Sequence, residues 1–123
     1  MFNVNRVTLL GNVTHDPDTH TAKSGQSLVS IGFATNYRTK DKNGKYVSEP
    51  EYHKLVCFGP LAEFSGKRVK KGAPLYVEGR LHTGHFKTKD GVDASSTEII
   101  IDRLVLLSSD KQGDAQGASE VTE

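Results

Sequence analysis

The segment Glu51–Gly59 has a period-two alternation that constrains the fold more than any other stretch of the chain. In a β-strand such alternation sends side chains to two opposite faces. One face is mainly apolar and consists of His53, Leu55 and Cys57. The other carries two aromatic rings with a cation between them and consists of Tyr52, Lys54, Val56 and Phe58. Strands that cover a core usually show small or polar residues on the second side, so this second face predicts a surface with its own partner.

Two partners fit the aromatic face of this strand. Nucleic-acid bases stack on aromatic rings whatever their identity, and a lysine between the rings can reach phosphates, so the face is typical of a surface that binds single-stranded nucleic acid. The same face is also compatible with packing against a second sheet or subunit. This strand alone leaves both interpretations open.

The length and the single cysteine favour an intracellular domain with an ordinary core. A chain of 123 residues forms one domain that can bury a core without disulfides. Cys57 lies on an alternating strand, which predicts a buried thiol in a reducing compartment rather than a nucleophile. The segment from Met1 to Arg6 lacks the apolar run of a signal peptide, and no apolar stretch approaches the ~20 residues that span a bilayer. We therefore expect a cytoplasmic protein without a membrane partner.

The charge is unevenly distributed along the chain. Before Leu107 there are 15 Lys and Arg against 11 Asp and Glu, a net charge of +4, whereas after it there are 1 against 4. A basic body with an acidic tail is compatible with polyanion binding, although a charge of this size is common among other proteins.

Five segments have the composition or alternation of strands, and one has helical spacing. The predicted strands are Val4–Val13, Gln26–Asn36, Glu51–Gly59, Pro74–Gly84 and Ser96–Leu107. Between the third and the fourth, Pro60–Lys71 predicts a short helix, with a proline in its first turn and a glycine after its end.

Two polar segments are predicted to be hairpin loops. Residues 37–50 turn at Asn43-Gly44, and residues 85–95 turn at Asp90-Gly91. The connections are too short for repeated parallel crossovers, so the sheet should be antiparallel and closed. We predict an all-β fold, a five-stranded antiparallel OB-fold barrel with a short helix between strands 3 and 4, over residues 1–107. Residues 108–123 are predicted to be a disordered acidic tail, because they have almost nothing to bury.

The sequence offers little catalytic chemistry. The five histidines lack the cysteine or carboxylate spacing of a zinc site, and the glycines match no phosphate-binding loop. Ser65 before Gly66 lacks the turn of a hydrolase nucleophile. We therefore predict no catalytic residues, no metal and no cofactor, and a binding function.

Several motifs appear in the order of one known family. They are Asn5-Arg6-Val7-Thr8-Leu9-Leu10-Gly11-Asn12 with Asp16-Pro17, then Phe33-Ala34-Thr35, Glu51-Tyr52-His53, Cys57-Phe58-Gly59, Leu61-Ala62-Glu63, Lys71-Gly72 and Tyr76-Val77-Glu78-Gly79-Arg80-Leu81. In these motifs the chain resembles the bacterial and mitochondrial single-stranded DNA-binding protein family, from Asn5 to about Leu106.

The resemblance implies a set of DNA-binding residues. Positions that match the family's base-stacking aromatics are Tyr52, Phe58 and Phe86, with Tyr37 as a fourth. Matching cations are Arg6, Lys54 and Lys87. The hairpin loops add further cations, which are Arg38, Lys40, Lys42, Lys45 and Lys89. Tryptophan, usual at several stacking positions, is absent from this chain, which implies a smaller stacking area per base.

The resemblance also implies partners. It predicts a homo-oligomer, usually a tetramer, with His53 near a subunit contact. Family members in bacteria commonly end in an acidic tip with Pro-Phe that recruits replication and repair proteins, whereas this chain ends Ser119-Glu120-Val121-Thr122-Glu123. This departure implies a phage, plasmid or organelle version, or recruitment of replication and repair proteins by another route.

The sequence therefore predicts a function and leaves alternatives. The prediction is non-catalytic, largely sequence-independent binding and protection of single-stranded DNA during replication, recombination and repair, in a nucleoid-associated protein of the cytoplasm. One alternative is an OB-fold protein-interaction subunit, such as a primosome-like adaptor. A third hypothesis, an enzyme with the same fold, is disfavoured because the sequence lacks a recognisable set of acid/base catalytic residues or metal ligands.

Overall fold

Alternating apolar residues build a barrel whose strands follow the predicted order. The structure, a computed structural model, describes residues 1–107 and 119–122. Its elements within those residues are β1 (Val7–Val13), β2 (Asp18–Thr21), β3 (Ser27–Lys40), β4 (Tyr46–Phe58), α1 (Gly59–Arg68), β5 (Pro74–Lys87), β6 (Asp93–Leu106) and β7 (Ser119–Thr122). No helix in the described part of the chain is long and apolar enough to cross a membrane.

Five of the strands close into the barrel. The sheet order is β1-β5-β6-β4-β3-β2, and β1 also pairs with β3, at Asn12 with Ala34 and Val13 with Phe33. This arrangement confirms the predicted five-stranded OB-fold barrel. One pairing differs from the antiparallel expectation, because β4 and β6 run parallel. The chain passes through α1 and β5 between them, a crossover long enough to return it in the same direction.

The barrel interior holds the odd-numbered residues of the central strands. Phe33, Leu55, Leu75 and Ile101 are fully buried there. Cys57 is buried as predicted, with its Sγ 3.7 Å from the Oγ of Ser65. The prediction that the side of β4 with Leu55 and Cys57 faces the core is thus confirmed.

Helix α1 covers one end of the barrel. It begins at Gly59 with Pro60 in its first turn, where the missing amide hydrogen costs no helical hydrogen bond. Leu61 and Ala62 are fully buried against the barrel. The helix ends at Arg68, somewhat before the predicted end at Lys71.

The two predicted hairpin loops are mostly strands. Ladder pairing of β3 with β4 continues from Asn36 opposite Pro50 to Lys40 opposite Tyr46, and β5 pairs with β6 as far as Lys87 opposite Asp93. The predicted tips are confirmed, with φ of 77° at Gly44 and 79° at Gly91. Sequence analysis missed these strand ends because exposed strands need no apolar alternation, while their backbones still pair.

Part of the predicted tail forms a strand. β7 pairs antiparallel with β6, from Ser119 opposite Leu106 to Thr122 opposite Arg103. The parallel pairing of β4 with β6 involves Ile99 and Ile100, so β7 occupies the next part of that edge. Backbone pairing of this kind leaves no signature in composition, which is why the sequence did not predict it. The rest of the predicted disordered tail, residues 108–118 and 123, lies outside the described residues.

Two glycines in β5 allow a matched test of the barrel's packing. Gly79 is buried beside a bulge in β6, and a Cβ there would collide with the carbonyl oxygen of Ile100, whereas a Cβ on Gly84 would meet no atom within 4 Å. We predict that Gly79→Ala lowers the free energy of unfolding by about 1–3 kcal/mol, because it overpacks the barrel wall. Gly84→Ala should lower it by less than about 0.5 kcal/mol. Urea denaturation measures both, and equal effects would contradict the packing described.

Candidate nucleic-acid interface

The barrel surface opposite the core side chains forms one continuous face, called here the outer face. It consists of the even-numbered residues 28–34 of β3, 52–58 of β4, 80–86 of β5 and 94–100 of β6. Strand register joins them, since Ala34 is opposite Tyr52 and Val56 is opposite Ile100. The face therefore extends across four neighbouring strands.

Tyr52 and Phe58 lie on the outer face, as the alternation predicts. Tyr52 is 71% exposed and has only Ala34 across from it on β3. Phe58 ends β4, is half-buried and lies opposite Leu28. Ala34 has only a methyl side chain, and the Tyr52 ring opposite it stays open to solvent, which is what stacking by a base requires.

A depression of about 190 Å³ lies beside Phe58. Its lining residues come from β2, β3, β4 and β6 and are His20, Leu28, Ser30, Lys54, Val56, Phe58 and Glu98. The Nζ of Lys54 is 3.7 Å from the Oε2 of Glu98 on β6. The predicted cation between the two rings is therefore partly neutralised by a carboxylate from another strand.

Phe86 reaches the same face from β5. Its ring is 52% exposed, lies opposite Ala94 and lines a cavity of about 390 Å³ near the tip of the β5–β6 hairpin. Lys87 is the next residue, so its side chain alternates to the opposite side of the hairpin, across from Asp93. The structure brings Phe86 to the outer face, and Lys87 also lines the cavity at the end of this hairpin.

Arg6 is held by two carboxylates. Its guanidinium donates to the Oε1 of Glu78 at 2.5 Å and to the Oδ2 of Asp102 at 3.1 Å. The hydrogen bond to Asp102 raises the pKa of Arg6 further above its usual value. A phosphate at this site would have to compete with both carboxylates.

Glu78 is the centre of this charged cluster. The hydroxyl of Tyr76 donates to Glu78, and Arg103 donates to it at 3.2 Å. The hydrogen bond from Tyr76 and the charges of Arg103 and Arg6 hold the pKa of Glu78 below its ordinary value, although partial burial opposes them. The same hydrogen bond raises the pKa of Tyr76.

The two remaining predicted residues lie where β3 and β4 leave the barrel as a two-stranded ribbon. This ribbon, called here the arm, consists of residues 36–40 and 46–50. Arg38 is even-numbered, like the outer-face residues of β3, so its side chain leaves the same side of the strand. Its guanidinium lies over the ring of Tyr46. Tyr37, 66% exposed, points to the reverse side of the arm, opposite Glu49. The structure therefore places Tyr37 on the opposite side of the sheet from Tyr52, and a role for it in DNA binding stays a prediction.

Two residues of this surface were missed by sequence analysis. Tyr46 precedes Tyr52 by six positions and shares its face, so extending the alternation through the hairpin would have found it. Glu98 approaches Lys54 only because β4 and β6 pair in the closed barrel. No local pattern in the sequence signals that contact. His53, predicted near a subunit contact, bonds to Thr35, with 3.0 Å between Nε2 and Oγ1.

Comparison with known proteins agrees with this geometry. A sequence model described as the single-strand binding protein family matches residues 4–107. The chain belongs to this family. Among curated members, the single-stranded DNA-binding proteins of Xanthomonas axonopodis pv. citri and Xanthomonas campestris pv. campestris are each 34% identical to it over 110 residues. The matches cover 89% of this chain but 61% and 64% of those relatives, so the chain spans less than two thirds of their length.

Solved structures of family members share the fold. The SSB of Plasmodium falciparum, in complex with ssDNA, superposes with a TM-score of 0.79 at 27% identity, covering 88% of this chain and 98% of that one. A deletion mutant of the single-stranded DNA-binding protein from Thermus aquaticus gives a TM-score of 0.68 at 26% identity, covering 84% and 56%. These matches confirm the resemblance inferred from the motifs.

The Glu78 cluster predicts that the folded protein loses part of its stability in acid. Because the pKa of Glu78 is lowered in the folded state, its stabilisation is present above the ordinary carboxyl pKa and is lost as pH falls through the folded-state value. We predict that Glu78→Gln lowers Tm at neutral pH and that the difference from the parent protein shrinks below about pH 4. Thermal unfolding across this range measures the difference, with the exposed Glu63→Gln as control. A Tm difference that stays constant with pH would contradict the assignment.

Proposed function

We propose that this protein binds single-stranded DNA with little sequence selectivity and without catalysis. Tyr52 carries the proposal, because its ring is 71% exposed on a sheet face in a chain that belongs to the single-strand binding protein family. Exposed aromatic rings stack on bases of any identity, whereas a protein core would have enclosed this one. The P. falciparum relative in complex with ssDNA supports the same conclusion.

The proposed interface combines stacking with phosphate contacts. Tyr52, Phe58 and Phe86 provide rings on the outer face, Lys54 provides a cation on the same face, and Arg38 provides one in the arm. The net charge of +4 before Leu107 would favour the approach of a polyanion. Paired bases hide their faces, so duplex DNA should bind more weakly than a single strand.

Arg6 and Lys87 contribute to binding at the margins of this interface. Arg6 would exchange Glu78 and Asp102 for a phosphate, a competition that weakens its contribution. Lys87 would act from the reverse side of the β5–β6 hairpin, where phosphates of a strand passing around the hairpin tip come within its reach.

We also propose that the protein assembles as a homo-oligomer, a tetramer by resemblance to the family. Within the described residues, the β1 edge from Val7 to Gly11 that faces away from β5 has no strand partner. Leu10 is 62% exposed on this strand. An open edge with an exposed apolar side chain favours pairing with a second copy, which mass measurement in solution tests.

Binding to single-stranded DNA during replication, recombination and repair would associate the protein with the nucleoid and with proteins of those processes.

Replacing Tyr52 tests the stacking contact. We predict that Tyr52→Ala weakens binding to oligo-dT by about 1–3 kcal/mol, because one base loses its ring, while Tm stays nearly unchanged. Tyr52→Phe keeps the ring and should bind like the parent protein. Fluorescence anisotropy measures the affinities. Undiminished DNA affinity of Tyr52→Ala, with loss of binding to a protein partner instead, would favour the adaptor hypothesis.

The Lys54–Glu98 pair predicts opposite effects for its two members. Lys54→Ala should weaken binding and reduce the slope of log affinity against log salt by roughly 0.7, the value for one lost phosphate contact with a single strand. Glu98→Gln should tighten binding at low salt by about two- to fivefold, because it releases Lys54 and removes a charge that repels phosphates. Titrations at several salt concentrations measure both. A Glu98→Gln protein that binds more weakly would show that the carboxylate itself contacts DNA.

A further inference from the structure

We propose that one edge of β6 is a binding site for an extended acidic segment of another protein, which pairs with it as an additional strand. This edge, called here the acceptor edge, consists of residues 103–106. The protein's own last strand, β7, occupies it in the structure and shows which kind of chain it takes. None of the residues assigned to DNA binding lies on the acceptor edge, so the inference goes beyond the proposed function.

The acceptor edge is open to a strand because β4 ends early. The last pair of β4 with β6 is Val56 with Ile100, and after Phe58 the chain turns into α1. β6 continues to Leu106 with β5 on its other side. Without β7, backbone amides and carbonyls would therefore stand unpaired beside the buried Leu104.

The amides of the acceptor edge alternate between β5 and β7. The amide of Leu107 donates to the carbonyl oxygen of Pro74, at the start of β5, at 3.0 Å. Consecutive amides of a strand point in opposite directions. The amide of Val105 therefore points to β5, whereas those of Leu104 and Leu106 point to β7.

The same alternation decides which amides of β7 hold it to β6. Val121 lies opposite Leu104, and Ser119 lies opposite Leu106, so each of these pairs exchanges backbone hydrogen bonds. The amide of Thr122 points away from β6. The affinity of β7 for its site thus comes from a short backbone ladder, as in other proteins that bind a peptide by adding a strand.

The neighbourhood of the acceptor edge favours a single strand. β7 contacts α1 as well as β6. The helix limits the space beside the edge, so a lone extended segment fits there better than the edge of a second sheet. This favours a peptide-like partner over sheet-to-sheet pairing with a second copy.

β7 is replaceable because a tight turn does not hold it in place. Residues 107–118 connect it to β6, a longer connection than the about 2–5 residues of a typical β-hairpin. A connection of this length presents β7 to its site at an effective concentration on the order of millimolar. A partner segment that makes a longer ladder can therefore displace it.

Charge favours an acidic partner segment. The net charge of residues 1–107 is +4, and α1 ends with Lys67 and Arg68. The last seven residues of the chain contain Glu120 and Glu123 and no Lys or Arg. Attraction between opposite charges brings acidic segments to the basic body, as it does for the protein's own end.

Two proline substitutions in the full chain form a matched pair for the test. Val121→Pro removes an amide that bonds to β6, whereas Thr122→Pro removes one that points away, which an edge strand tolerates. We expect Val121→Pro to accelerate hydrogen exchange of the Leu104 and Leu106 amides at least about fivefold, because β7 no longer protects them. Thr122→Pro should exchange like the parent protein. NMR measures the rates, with the Val105 amide, paired to β5, as internal control.

A synthetic peptide with the sequence of residues 117–123 then tests the acceptor edge in trans. At millimolar concentration it should restore slow exchange of Leu104 and Leu106 in the Val121→Pro protein. The same peptide with proline in place of Val121 has the same charge and should not. The parent protein, whose edge is occupied, should bind the first peptide at least about fivefold more weakly than the Val121→Pro protein.

Each outcome decides for or against the acceptor edge. Equally slow exchange of Leu104 and Leu106 in the parent and Val121→Pro proteins would overturn the proposal, because β7 would not be what protects them. Faster exchange that the peptide fails to reverse would also overturn it, since the edge would accept only its tethered strand. Equal binding of the two peptides would reduce the contact to charge attraction. Unchanged affinity of both variants for oligo-dT verifies that the barrel is intact and keeps this test separate from the proposed function.

Discussion

The parallel pairing of β4 with β6 is the contact on which the rest of this protein's surface depends. Two residue pairs, Leu55 with Ile99 and Val56 with Ile100, join the β3–β4 hairpin directly to the β5–β6 hairpin. Their odd members bury their side chains in the core, while their even members continue the outer face from one strand to the next. Without this pairing Tyr52 and Phe86 would lie on two hairpins connected only through β1. With it they share one surface, which is the proposed binding site for a single DNA strand.

Carboxylates control how that surface presents its positive charge. Lys54 lies beside Glu98, and Arg6 is bonded to Glu78, so the cations nearest the barrel are partly neutralised. Arg38, in contrast, packs on an aromatic ring in the arm. A cation near a ring keeps its full charge for a phosphate, whereas an ion pair must first separate.

Sequence patterns revealed most of the barrel and only part of the surface. Strands whose one side is buried, such as β4 near Leu55, show alternation because the core accepts only apolar side chains. The outer ends of the hairpins and β7 have no such constraint, so they were predicted as loops or tail. Tyr52, Phe58 and Phe86 were found from the alternation and the family motifs. Tyr46 was missed, although it follows the same alternation, because the predicted strand began only at Glu51, five residues after the strand's first residue in the structure.

The sequence by itself determined the core, the strand order and the rings at Tyr52 and Phe58, because period-two alternation and turn residues act over a few positions. Only the tertiary structure decided which charges meet and which side of the arm each tyrosine takes. Glu98 is 44 positions from Lys54 in the chain, yet their side chains lie 3.7 Å apart. Tyr37 and Tyr46 look alike in the sequence, but strand register turns them to opposite sides. Contacts between distant strands depend on closure of the barrel, which no local pattern encodes.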